Sequence, residues 1–115
     1  MGQLKFRATN TSQEWLRNNF FSYSKAFSDA EDPVFIHRFP VYKWGLVATL
    51  VAEMRMHLSN GLVTVDVYDV AGLTRGYYAP FYYNADCGHD SFISDITDNI
   101  FKECRRLKLV EWDGD

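Results

Sequence analysis

Little in this sequence points to chemistry, and each thing it lacks removes a class of function. It has two cysteines, Cys87 and Cys104, in 115 residues. That is too few for a disulfide scaffold, and with no signal-like apolar segment opening the chain they are expected to be free thiols in a reducing cytosol. The longest apolar stretch, residues 45–52, falls far short of the ~20 residues that span a bilayer, so a soluble, cytoplasmic protein without membrane contact is expected. Excess positive charge is lacking too: 12 Lys and Arg stand against 15 Asp and Glu, a net charge of −3, with a pI near 5.5. No overall field draws in a phosphate backbone, which disfavours nucleic acid as a partner. His-Glu-x-x-His, paired Cys-x-x-Cys, a calcium-hand loop, a P-loop ending and Gly-x-Gly-x-x-Gly are all missing, so no metal or other cofactor is expected.

What is present is a core and an unusual number of rings. Hydrophobic residues at 47 % and charged residues at 23 % are ordinary, whereas 17 % aromatic, from nine Phe, seven Tyr and three Trp, is high. A chain of this length buries roughly two thirds of its unfolded surface, enough for one independent domain over residues 1–115. Some of the rings are expected to stay outside it.

The strongest local signal is the hairpin of residues 52–69, whose turn dipeptide Asn60-Gly61 favours a type I′ turn. A two-residue loop pairs Leu58, Met56 and Met54 with Val63, Val65 and Val67 on one face, and His57, Arg55 and Glu53 with Thr64, Asp66 and Tyr68 on the other. One face is therefore buried and the other wet. Around the hairpin, residues 34–43 and 77–83 read as outer strands, since Pro40 and Pro80 lack the donor an interior ladder needs. Residues 45–52 fit either the start of a strand or a buried helical turn. A short strand is expected over residues 4–8, and residues 109–112 either add a final short strand or pack Trp112 on the core.

Two helices flank these strands. Thr11-Ser12-Gln13-Glu14 has the pattern of a capping box, and Leu16, Phe20, Tyr23 and Phe27 follow at helical spacing, so a helix is expected to run as far as the acidic cluster before Pro33. The last helix carries Phe92, Ile93, Ile96, Ile100, Phe101, Cys104 and Leu107 on one face, with Asp95 and Asp98 early and Lys102, Arg105, Arg106 and Lys108 late, matching its dipole. The sum is an α+β, two-layer sandwich: an antiparallel meander of about four to five strands with both helices packed on one face.

The candidates for chemistry are few. Asp86-Cys87-Gly88-His89-Asp90 concentrates a thiol, an imidazole and carboxylates before a helix, which suits a cysteine nucleophile; a helix cap and a small buried cysteine explain it more simply. His57 with Asp66, or His89 with Asp86 and Asp90, are conceivable metal ligands without recognised spacing. An Arg55–Asp66 cross-strand ion pair accounts for the first set. The basic end of the last helix could meet phosphate or an acidic partner, although cations are favoured there in any case.

The tyrosine-rich run of residues 77–83 is hardest to explain as structure alone. On a strand Tyr77, Phe81 and Tyr83 share one face and Tyr78 and Tyr82 the other, so one set is exposed. This points to a small protein-binding domain acting through an exposed sheet face or edge, with Tyr78, Tyr82, Tyr68 and Arg55 as the contact set. No catalytic residue is assigned. A compact acidic domain of this kind suits an inhibitor or immunity-type protein, such as a phage or mobile-element product that blocks a host nuclease. The alternatives are a single-stranded nucleic-acid module stacking bases on sheet aromatics and a cysteine-dependent enzyme at Cys87 and His89. Two sheet edges also permit a homodimer by edge pairing.

Overall fold

The alternation of residues 52–69 produces the expected faces with a different register. In the computed structural model, which describes residues 3–70, 76–78, 81 and 90–114, β4 (Val47–His57) and β5 (Leu62–Asp69) pair Met56 with Val63, Met54 with Val65 and Ala52 with Val67. Every pair lies two positions from the expected one. The turn is the reason. A type I′ turn needs positive φ at both central residues, and of Asn60 and Gly61 only Gly61 has it, at +74°. Asn60 instead accepts a hydrogen bond on its side chain from Leu62 N–H at 3.0 Å, Gly61 N–H donates to the His57 carbonyl at 2.8 Å, and residues 58–61 form the loop. A slip of two preserves the faces because strand side chains repeat every two residues. Met54, Met56, Val63, Val65 and Val67 are all fully buried.

The remaining elements are β1 (Leu4–Arg7), α1 (Gln13–Asn18), β2 (Ser22–Tyr23), β3 (Val34–Trp44), β6 (Gly76–Tyr77), α2 (Asp90–Arg106) and β7 (Val110–Glu111). The strands form one antiparallel sheet in the order β2-β3-β4-β5-β1-β7, with β6 also on β5. This is an α+β chain whose sheet holds seven strands, more than the meander expected. β2 was not expected, and at two residues it is too short to show alternation; β7, within residues 109–112, is equally short. Residues 47–52 are strand, which settles the ambiguity there. β1 lies beside β5, placing Leu4 opposite Val65 and Phe6 opposite Val63, so β5 is flanked along its first half by β1 and touches β6 only at Tyr68 and Asp69.

α1 is shorter than its sequence suggests. Ser12, not Thr11, is the N-cap, its side chain accepting from Trp15 N–H, and the helix stops because Phe20 takes a φ of +71°. Phe20 N–H then donates to Arg17 and Phe21 N–H to Leu16, the paired bonds of a Schellman ending. The turn sends Phe21 into the core and leaves Phe20, Tyr23 and Phe27 exposed, so the expected apolar stripe is broken after Leu16. α2 ends in the same way. Lys108 has a φ of +58°, with Lys108 N–H on Arg105 and Leu109 N–H on Cys104. Ile96, Ile100, Cys104 and Leu107 are buried as expected, while Phe101 stays partly exposed and meets Phe6 edge-on at 5.9 Å. Among the described residues, the ion pair within this helix is Glu103–Arg106. Leu16, Phe21, the α2 residues and the buried methionines and valines form one hydrophobic core.

Candidate functional site

The sheet face opposite Met54 and Val65 was expected to be open, and much of it is closed by the chain itself. Glu53 faces Asp66 across the ladder, and the two are only 4 % and 3 % exposed. Like charges opposite one another are unfavourable unless each is met. Arg38 Nε and Arg55 Nε each donate to Glu53 at 2.7 Å, and Gln3 Nε2 donates to Asp66 at 2.8 Å. The Arg55–Asp66 ion pair expected from the sequence is thus replaced by Arg55–Glu53, because the two-residue slip sets Arg55 opposite Thr64. The segment between β2 and β3 returns over the same face. Phe27 lies on the Arg55 guanidinium at 3.8 Å, and Asp32 takes His57 Nδ1 at 2.7 Å and Ser59 Oγ at 2.8 Å. His57 and Asp66 therefore do not meet, and among the described residues no group of three or more His, Cys, Asp or Glu could hold a metal ion.

Two of the four predicted contact residues come together. Arg55 Nη2 donates to the Tyr68 hydroxyl at 3.0 Å, and Tyr68 stacks on Tyr77 at 4.8 Å. Burial, then a hydrogen bond to Tyr77 and the nearby Glu53 charge, push the Tyr68 phenol well above its usual pKa. Burial would lower the Arg55 pKa, but its hydrogen bond to Glu53 and that carboxylate's charge leave it raised. Tyr78 is elsewhere, partly buried against the core, whereas Tyr77 is 57 % exposed. The alternation expected along residues 77–83 stops because β6 ends at Tyr77; Tyr78 N–H donates to Val67 and Phe81 N–H to Tyr78, turning Phe81 into the core. Tyr82, Pro80, Asp86, Cys87 and His89 lie outside the described residues. Cys104 is buried, and burial pushes its thiol up to about 12, which keeps it protonated and a poor nucleophile at neutral pH.

An open surface lies instead along the edge of β3. β2 pairs only with Phe35 and Ile36, so from His37 onward the side of β3 away from β4 has no strand partner among the described residues. Pro40 sits in this stretch, next to a bulge between Pro40 and Tyr42, as its missing donor requires. α2 runs alongside and leaves a groove of about 650 Å³ lined by five consecutive strand residues, Phe39, Pro40, Val41, Tyr42 and Lys43, and by Asn99, Lys102, Glu103 and Arg106 of the helix. Asn99 Nδ2 donates to the Val41 carbonyl at 3.0 Å, fixing the spacing of helix and strand. Beyond Asn99 a second hollow of about 410 Å³ continues past Asp95 and Asp98.

The wall at the Arg106 end is held by a polar cluster that runs from the buried His37 out to the exposed Arg106. His37, 5 % exposed, donates from Nε2 to Glu103 at 2.5 Å, and Arg106 Nε grips the same carboxylate at 2.5 Å. Burial alone would raise the Glu103 pKa, but the hydrogen bonds from Arg106 and His37 hold it below the ordinary glutamate value. Phe20 lies beside this end, its ring 6.4 Å from His37 and 5.9 Å from the Arg106 guanidinium. Sequence reasoning found the ingredients separately, the edge proline and the basic helix end, but not that they share one groove. Compared with family models, curated proteins and solved structures, the chain matches none of them.

Proposed function

We propose that this chain is a small protein-binding domain of inhibitor or immunity type, and that it holds its partner at the open edge of β3. The carrying observation is the groove between five consecutive residues of β3, along the edge away from β4, and one face of α2. An exposed edge offers backbone donors and acceptors to an extended segment, and adjacent pockets sort its alternate side chains. Tyr68 and Tyr77 supply a secondary aromatic contact on the other side of the sheet; Arg55, already held by Glu53 and Tyr68, supports them from below. We also infer that α1 and α2 form a second layer over the Met54 and Val65 face, because Leu16 and Ile100 belong to the same core as those residues.

The reading fits a cytoplasmic partner such as a host nuclease, reached by occupying its surface. The test is capture of the partner from the native host followed by hydrogen exchange on the complex. Slowed exchange of backbone amides in residues 37–44 is the expected footprint. Protection confined to other parts of the sheet, or failure to capture any partner, rejects the edge as the binding site.

A further inference from the structure

Resting on the strand-addition reading above, we infer that the β3–α2 groove selects an extended peptide segment whose carboxylates face its Arg106 end. Charge is unevenly distributed along the groove. Lys43 of the strand and Lys102 of the helix line the same hollow, both are exposed, and among the described residues neither has an ion-pair partner. Arg106 adds a third cation. The single acid there, Glu103, is already engaged by His37 and Arg106, so the cations are in excess. Past Asn99 the sign reverses, because Asp95 and Asp98 line the continuation with no cation but Lys43. A segment lying along both hollows is therefore drawn acidic at one end and neutral or basic at the other, which sets the direction in which it enters.

Phe20 lies next to Arg106, just beyond the residues that line the groove. This ring is 74 % exposed, beside Arg106, where it offers apolar contact to whatever residue ends the bound segment.

The probes are capped, fluorophore-tagged peptides of about eight residues, a length that suits one strand, with valine alternating with glutamate in one half and threonine in the other, made in both orders. All-threonine and lysine-for-glutamate counterparts serve as controls, with a short single-stranded oligonucleotide as competitor. Anisotropy should show that one glutamate order binds most tightly, that added salt weakens it, and that Lys43→Glu and Lys102→Glu each cost about tenfold in affinity. Both lysines are exposed, so circular dichroism and melting of the variants should match the parent. Equal binding of the threonine and glutamate peptides, or tighter binding of the lysine one, overturns the charge selection while leaving the edge footprint standing. An oligonucleotide that displaces the glutamate peptide with the same lysine dependence overturns it in favour of a nucleic-acid site. If no peptide binds, the acidic selection fails, and the edge reading is still judged separately by hydrogen exchange with the native partner.

Discussion

A histidine ring packed among Phe20, Phe21 and Phe39 is kept only because Glu103 meets its Nε2; its Nδ1 is buried with no partner among the described residues. Removing the carboxylate leaves the imidazole and Arg106 without it. Glu103→Ala should therefore cost about 2 kcal/mol in urea denaturation, the range for a hydrogen bond to a charged group. The pH dependence has a definite sign. Glu103 and Asp32 both have folded pKa values below their ordinary 4.5 and 3.8, through Arg106 and His37 in one case and His57 and Ser59 in the other. The native state thus binds fewer protons than the unfolded chain in this range, so stability is present above the ordinary values and is lost as pH falls through the lowered ones. Stability measured from pH 6 downward should fall most steeply below about pH 4.5, and Glu103→Gln should flatten that fall. Cys104 is the opposite case: its thiol is pushed up to about 12, so the peptide bearing it should stay unalkylated in native protein and react once the chain is denatured.

At the scale of elements, both helices end in a left-handed residue that is not glycine. An exposed Lys108 gains nothing evident from that conformation, and Lys108→Gly should raise stability by about 0.5–1 kcal/mol. Phe20→Gly relieves the same strain but removes the ring over His37, so its gain should be smaller; equal gains would show that the Phe20 ring does nothing for the fold. Gly61 tests the hairpin. A Cβ there would meet only the Ala8 carbonyl at 3.9 Å, ordinary contact, so Gly61→Ala should cost roughly 1 kcal/mol from its positive φ alone. Much of this scale was legible in the residues: the faces of the hairpin from alternation, the buried side of α2 from its spacing, the edge from Pro40. The end of α1 was not. Leu16, Phe20 and Phe27 are spaced as a helix would space them, and only the backbone turn at Phe20, fixed by Phe21 entering the core, shows that they do not share a face. The hairpin register was missed for a similar reason, since Asn60 spends its side chain on Leu62 rather than taking a positive φ.

At the scale of the whole molecule, β1 and β7 are neighbours. β1 lies between β5 and β7, with Phe6 opposite Val63 on one side and Glu111 on the other. Arg7 reaches Asp113 and lies over Trp112 at 4.6 Å. Deleting residues 1–8 should abolish a cooperative thermal transition, because it strips β5 of its neighbour and removes Phe6 from the core. Deleting residues 110–115 should leave a folded chain weaker by only about 1–2 kcal/mol, since it exposes an edge without opening the core. If a second copy pairs at the β3 edge, sizing chromatography will show a dimer that the bound glutamate peptide dissociates.

The sequence by itself determined which residues are apolar on which face, because the periods of strand and helix are properties of the backbone and need no knowledge of neighbours. It also determined that no large positive field surrounds the chain. Tertiary structure alone decided where the open surface lies. Gln3 and the segment before β3 close much of the sheet face expected to be free, while α2 settles beside an open strand edge, and those contacts join residues some sixty positions apart, such as Val41 with Asn99, that no local pattern relates.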